Sequence, residues 1–478
     1  MINGRDSPEQ QDAGLLSHDH YKARLGNGFR FRLREFLLPF VRQETEHLAR
    51  LQSVMRTPIL DVYFSYTALL GTHTFFMMFL PIIFWCGYTN FARAMVHVLA
   101  AGVFFSGMLK DYLCLPRPLS PPLERLNMSH STALEYGFPS THSTNAVSVA
   151  LYALSTLASC GEDDLSPKVA LGLKLVAVIY GVSVVFGRLY CGMHGFFDVM
   201  VGTGLGALIW WLRWAFRVQL DTFVYEGGWQ VPFILIPIIL IMVRIHPEPA
   251  DSCPCFDDGV AFAAVVLGVD IGVWVFAKSN FAWSSPSPAT VPYLFSDLGL
   301  SKSALRIILG VVLIFLWRAI AKPTLHAVLP PVFRRLETLG LDLPRAHFIS
   351  ASTYKHVPAN IPGDTLPGVN EIKESIRSIG RRRGASVGPQ SQADFYEAID
   401  YRERQRRKSS VDGKVGESIQ ADLDKYIKEN EELLKSIEKP RVRYDVEVVT
   451  KLIVYAGIGY IAIPVTPFVF AFVGLNPA

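Results

Sequence analysis

Charge is scarce in this chain. Of its 478 residues only 18% are Asp, Glu, Lys or Arg, against 50% hydrophobic, and the mean hydropathy is positive. That balance excludes an ordinary soluble protein for most of the length. The net charge of +4 is too small for the footprint of a nucleic-acid binder, and no nucleic-acid partner is expected. Cysteine is scarce too, with six residues at positions 86, 114, 160, 191, 253 and 255. None of the spacings is that of a zinc site, and Cys253-Pro-Cys255 carries little information alone. Unpaired thiols are the expected state, the alternative being a Cys114–Cys191 disulfide in an oxidising lumen. The first residues lack a basic stretch followed by a short apolar segment and a small-residue cleavage site, so no cleaved signal peptide is expected.

Long apolar runs dominate instead. Val62–Cys86 is 25 residues without a formal charge, enough to span a bilayer with tilt. Further runs cover 94–109, 143–160, 169–187, 195–212, 231–243, 259–277, 307–317 and 452–473. Eight or nine helices are expected, the last kinked at Pro464 and Pro467. Trp85, Trp210, Trp211, Trp214, Trp229 and Trp317 lie near run ends, as interfacial residues do. The same reading makes His73, His97 and His130 interfacial. Asp270, ionisable inside a run, either serves function or bonds a neighbouring helix.

Four regions follow: a polar, basic N-terminal segment (1–60), a transmembrane core (61–322), a polar insert (323–447) and a C-terminal transmembrane helix (448–478). The insert is rich in Pro, Ser, Lys, Arg and Glu, with 355–415 expected to be largely disordered. Basic runs precede Ser386 and Ser409 as candidate kinase sites. Apolar spacing over Ser418–Glu438 suits an amphipathic helix or a solvated one.

Three segments at run edges carry reactive side chains: Lys110-Asp-Tyr-Leu-Cys-Leu-Pro-Arg117-Pro, Pro139-Ser140-Thr141-His142, and Arg188-Leu-Tyr-Cys-Gly-Met-His194-Gly-Phe-Phe-Asp198. Membrane crossings alternate sides. Lys110 ends one span, His142 precedes the next, Arg188 ends the third and His194 opens the fourth, so all three segments face one side. Arg117 and Arg188 offer planar, bidentate donors to a phosphate, and Lys110 adds a point charge. Pro116 and Pro118 end any helix there. Ser140 offers a hydroxyl, and the helix start at 140–143 directs free N–H groups towards an anion. His194 and Asp198 are four apart at a helix start and share a face. The carboxylate can hold one imidazole nitrogen and leave the other as a nucleophile. His142 can protonate a leaving alkoxide.

This three-part pattern resembles the type 2 phosphatidic acid phosphatase superfamily, which includes vanadium haloperoxidases. The resemblance implies an all-α, polytopic membrane helix bundle with a six-helix phosphatase core and a polar, partly disordered insert. It implies Lys110, Arg117, Ser140 and Arg188 as phosphate ligands, His142 as acid, His194 as the nucleophile that forms a phosphohistidine, and Asp198 as its orienting partner, with no metal or other cofactor; Thr141, through its backbone N–H, is a further candidate phosphate ligand. Thr141 stands where the family often has Gly, and Gly187 where it often has Ser. The wider stretches Lys110–Pro122, Glu135–His142 and Arg188–Gly195 resemble sphingosine 1-phosphate phosphatases, above all the fungal long-chain base phosphate phosphatases. That resemblance implies an endoplasmic reticulum enzyme with a luminal site that removes phosphate from a sphingoid base 1-phosphate.

Orientation has a counter-indication. On a nine-span count the basic N-terminal segment and the insert share the motif side, against the positive-inside rule, although long segments follow that rule poorly. Asn127-Met-Ser129 is a glycosylation sequon between the first two motifs. Competing readings are a broad lipid phosphatase acting on phosphatidic acid or a polyprenyl pyrophosphate, a phosphocholine-type transferase, and a membrane transporter or scaffold. Lys110 and Arg117 speak against the transferase, because a choline-capped diester needs less positive charge than a bare phosphate. A transporter gives no reason for the order and shared side of the motifs. A lipid phosphate is the expected partner, with a homo-oligomer left open.

Overall fold

The computed structural model describes residues 14, 17–120, 122–126, 135–161, 165–341, 345–358 and 442–477. Asn127, His130, both basic runs of the insert and the candidate amphipathic segment 418–438 lie outside the described residues. So does most of 355–415.

Helices account for nearly all described secondary structure. Two precede the apolar region: α1 (His18–Leu25) and α2 (Phe29–Met55). Next come α3 (Pro58–Leu69), α4 (His73–Trp85), α5 (Thr89–Leu113), α6 (Thr141–Ser159), α7 (Pro167–Tyr190) and α8 (Phe196–Ala215). These are followed by α9 (Arg217–Glu226), α10 (Gln230–Ile245), α11 (Cys255–Ala277) and α12 (Phe295–Thr338). α13 (Val446–Tyr460) continues through a π-turn (Ile461–Val465) into α14 (Thr466–Phe472). Among the described residues, six helical stretches are long and apolar enough to cross a membrane: α5, α7, α8, α11, α12 and the α13–α14 unit. Phe75–Trp85 and Gln230–Ile245 are shorter apolar helices.

All nine predicted runs are helical, but the first is two helices rather than one span. Leu70–Thr72 form a turn between α3 and α4, and the Thr72 hydroxyl caps α4 by accepting the Phe75 N–H. Gly71 permits the turn to approach the catalytic side. A Cβ there would lie 2.9 Å from the His142 ring. The expected kink in the last helix takes the form of the π-turn. Pro464 lies within it, and the Ile461 carbonyl accepts both the Thr466 N–H in the π register and, at 2.8 Å, the Thr466 hydroxyl. α12 runs unbroken across residue 323 to Thr338, so helix extends into the polar insert. Both ends of the insert come together, with Phe348–Ile349 pairing in parallel with Arg443–Tyr444.

The core lies between α5, α11 and α13 on one side and α5, α6 and α8 on the other. Close helix approach depends on small residues, as in other membrane bundles. In α8, Gly202 and Gly206 face the start of α6. Cβ atoms there would lie 2.6 Å from the Ser140 carbonyl oxygen and 2.3 Å from that of Thr144. This contact presses the two helix N-termini together. Trp85 is not interfacial. It is 1% exposed, its Nε1–H donates to the Ala462 carbonyl, and Gly310 leaves room for its ring. Trp211 and Trp229 are exposed, as expected. His97 is not interfacial either: it bonds Asp270 at 2.9 Å, and Arg93 bonds the same carboxylate at 2.7 Å. Asp270 therefore ties α11 to α5, the second of its two readings.

Candidate active site

The C-termini of α5 and α7 and the N-termini of α6 and α8 converge at one end of the bundle, the end predicted from alternating crossings. α5 stops because Cys114 turns into the left-handed region (φ 51°) and Pro116 follows. The segment 115–118 then carries Arg117 inward. α7 ends at Tyr190, and Gly192 (φ +63°) makes the turn to α8. A side chain at 192 would be strained, and its Cβ would lie 2.8 Å from the Gln52 amide. Ser140 caps α6, its hydroxyl accepting from the Ser143 N–H and hydroxyl at 3.4 and 3.0 Å.

His194 is the centre of the group and is 2% exposed. Arg117 Nη1 donates to His194 Nε2 at 3.2 Å and to the Met193 carbonyl at 2.9 Å. Behind the ring, Asp198 Oδ2 lies 3.6 Å from Nδ1 and accepts the Gly195 N–H at 2.9 Å. The ring separation exceeds a hydrogen bond, and His194 Nδ1 and Asp198 Oδ1 make no hydrogen bond. The Asp198 carbonyl also accepts the Ser140 N–H at 3.1 Å, which locks the second motif to the third. Burial holds the His194 pKa well below its usual value, reinforced by the positive charges of Arg117, Lys110 and Arg188 and by His142. The ring is thus kept neutral, with a lone pair on one nitrogen.

The remaining predicted residues fall around it. Lys110 is buried and pairs with Glu135 at 2.9 Å. Arg117 Nη2 lies 3.5 Å from the same carboxylate. Arg188 is buried in the last turn of α7, with its Nε making no hydrogen bond. The Arg117 guanidinium is itself held below its usual pKa, first by burial. His142 is half-buried at the first turn of α6. The Thr141 hydroxyl bonds Ser106 at 2.8 Å, so α5 accommodates a side chain where glycine is common. Gly187 faces packing: a Cβ there would lie 3.1 Å from the Phe64 ring. Cys114 and Cys191 are free thiols in separate apolar clusters, which removes the disulfide alternative.

Two acidic residues at the site escaped the sequence reading. Glu135 pairs with Lys110 and lies beside Arg117. Glu44, on α2, accepts the Phe197 N–H at 2.9 Å at the start of α8, while its Oε2 is buried without a hydrogen bond. Burial pushes its carboxyl pKa up, opposed by the Phe197 and Phe196 N–H groups. Glu135 begins a resembling stretch but lies in no periodic element. Glu44 is 153 positions from its partner, and nothing local in the sequence announces it.

The PAP2 superfamily model matches residues 91–221, which span α5 to α8. The dihydrosphingosine 1-phosphate phosphatase of Schizosaccharomyces pombe is 40% identical over 365 residues, covering 74% of this chain and 86% of that protein. This chain belongs to the PAP2 superfamily. Dihydrosphingosine 1-phosphate phosphatase YSR3 of Saccharomyces cerevisiae is 36% identical, covering 68% of this chain and 78% of its own length. The human sphingosine-1-phosphate phosphatase 2 is 31% identical, with 54% and 64% covered. No solved structure matches significantly.

Proposed function

We propose that this chain is a lipid phosphate phosphatase that hydrolyses sphingoid long-chain base 1-phosphates (dihydrosphingosine, phytosphingosine or sphingosine 1-phosphate) to the free base and phosphate. The observation that carries the reading is a neutral, buried His194 with Asp198 behind Nδ1 and Arg117 on Nε2. The kind of lipid phosphate comes from the full-length fungal relatives.

Substrate phosphate exchanges the Glu135 carboxylate for its own oxygens on Lys110 and Arg117, and Arg188 supplies a third cation. His194 Nε2 attacks phosphorus, and the P–O bond to the alkoxide breaks. His142 gives the alkoxide its proton. Asp198 accepts from Nδ1–H and stabilises the cationic phosphohistidine. Water, losing a proton to His142, then attacks phosphorus and restores His194. Ser140 and Thr141 at the start of α6 contribute donors to the phosphoryl oxygens. Three cations supply the charge stabilisation that metal ions supply in other phosphoryl transfers, and we assign the chemistry no metal or other cofactor. We place the enzyme in the endoplasmic reticulum membrane with the site facing the lumen, on family resemblance.

Phosphate release from dihydrosphingosine 1-phosphate and from phosphatidic acid, in detergent, tests the reading. Replacing His194 by Ala should lower turnover on the order of 10³-fold or more, as for other nucleophiles, in a protein that remains folded and inserted. Full activity in that variant overturns the mechanism. Equal kcat/KM on phosphatidic acid would favour a broad lipid phosphatase. An endoglycosidase-sensitive band shift lost in Asn127→Gln supports the luminal side. Labelling of residues 119–135 by a cytosolic reagent opposes it.

A further inference from the structure

Next to the phosphate site, and not used by it, lies a second set of reactive groups. Asp111 follows Lys110 in α5, and a helix turns about 100° per residue, so the two side chains leave in different directions. Lys110 meets Glu135, whereas Asp111 meets the segment that opens α11. There the carboxylate of Asp111 and the sulfurs of Cys253 and Cys255 lie within 4.8 Å of one another. All three residues are buried, Asp111 and Cys253 completely. Neither Asp111 oxygen makes a hydrogen bond that meets normal geometry. A carboxylate so placed is costly unless a cation compensates it. His246 Nδ1 lies 3.7 Å from Asp111 Oδ2 but donates to the Pro247 carbonyl at 3.1 Å, so that ring leaves the carboxylate uncompensated.

We propose that Asp111, Cys253 and Cys255 bind a zinc ion. Two thiolates select a soft divalent ion over magnesium or calcium, and a carboxylate oxygen is an accepted zinc ligand beside them. Tetrahedral zinc with bonds of about 2.3 Å to sulfur sets two sulfur ligands about 3.8 Å apart, so the cluster closes around the ion on binding. Binding releases the two thiol protons to solvent. The ion touches no phosphate. It ties the end of α5, one residue from Lys110, to the start of α11, and acts as a structural staple that holds the lysine in register.

Metal content decides the matter. The full chain, purified in detergent without chelator under reducing conditions, should retain about one zinc per chain. The Cys253→Ser/Cys255→Ser double variant should lose it, while Cys160→Ser, at an exposed and unrelated thiol, should keep it. Wild-type protein loaded with cobalt(II) should show thiolate-to-cobalt charge-transfer absorption, and this reading stands even where the double variant fails to fold. Absence of both zinc and the cobalt band in folded wild type overturns the proposal. So does mass spectrometry that finds Cys253 and Cys255 joined to each other in the active enzyme.

Discussion

The bundle buries two sets of charged side chains, one at each end of α5. Near its start, Arg93 bonds Asp270 and Asp221 at 2.7 and 2.9 Å, and Arg213 bonds Asp221 at 2.7 Å and His97 Nδ1 at 3.2 Å. His97 then donates through Nε2 to Asp270. Two arginines face two carboxylates, and only one Arg213 nitrogen lacks a partner. Near the other end of α5, Lys110, Arg117 and Arg188 face Glu135 and Asp198. Three cations meet these two carboxylates and Glu44, whose carboxyl burial pushes towards its neutral form, and Arg188 Nε, His194 Nδ1 and Asp198 Oδ1 make no hydrogen bond. Both sets are buried in similar surroundings. The first is neutral and nearly satisfied, which suits a clamp between α5, α8, α9 and α11. The second carries surplus positive charge and unspent donors, which suits an anion that comes and goes. Burial of charge does not by itself separate structure from chemistry, but the balance of partners does.

Four substitutions test that contrast, from the largest effect to the smallest. Arg188→Ala should lower kcat/KM about 10²–10³-fold, the usual cost of losing one preorganised donor to developing charge. It should leave thermal inactivation unchanged or slower, because functional sites store unfavourable interactions. Phosphate-release kinetics and inactivation half-lives check both halves. Asp270→Ala should do the reverse. It leaves Arg93 and Arg213 to share Asp221 alone and destabilises by about 3–5 kcal/mol, the cost of breaking a buried pair, with kcat/KM of the surviving folded enzyme unchanged. A melting curve in detergent reads this, and an unshifted midpoint would undo the structural reading of the first set. Arg117→Gln concerns pH. Next to burial, the Arg117 charge is the largest cause depressing the His194 pKa. Removing it raises that pKa, so the neutral nucleophile is lost at higher pH. The acidic limb of kcat/KM, which reports the free enzyme, should move upward. A limb that stays put or moves down would mean that His194 does not titrate there. Gly187→Ser should matter least. Its Cβ meets the Phe64 ring at 3.1 Å, so a cost of about 1 kcal/mol from overpacking is expected, with turnover little changed.

Much of the site was legible in the sequence because its residues sit at the ends of apolar runs, and crossing parity fixes which ends share a side. The i, i+4 spacing of His194 and Asp198 likewise follows from helix geometry alone. Other features were hidden because hydropathy averages over a window. The turn at 70–72 lies inside an uncharged run, and a Trp at a run's end reads the same whether it meets lipid or, like Trp85, a neighbouring helix. Pairings far apart in the chain leave no local trace: Asp270 with Arg93, Glu44 with Phe197, and Asp111 with Cys253 and Cys255.

The sequence by itself determined a multi-pass helical protein, three motifs on one side, and the side chains suited to hold and attack a phosphate. Periodicity, charge placement and spacing are properties of one chain segment at a time. Only the tertiary structure decided which charges neutralise one another. It set Glu135 against the cations and Glu44 beneath α8, and it reserved Asp270 for a clamp. A buried charge takes its role from the partners that packing brings within a few ångströms, and no single segment contains that information.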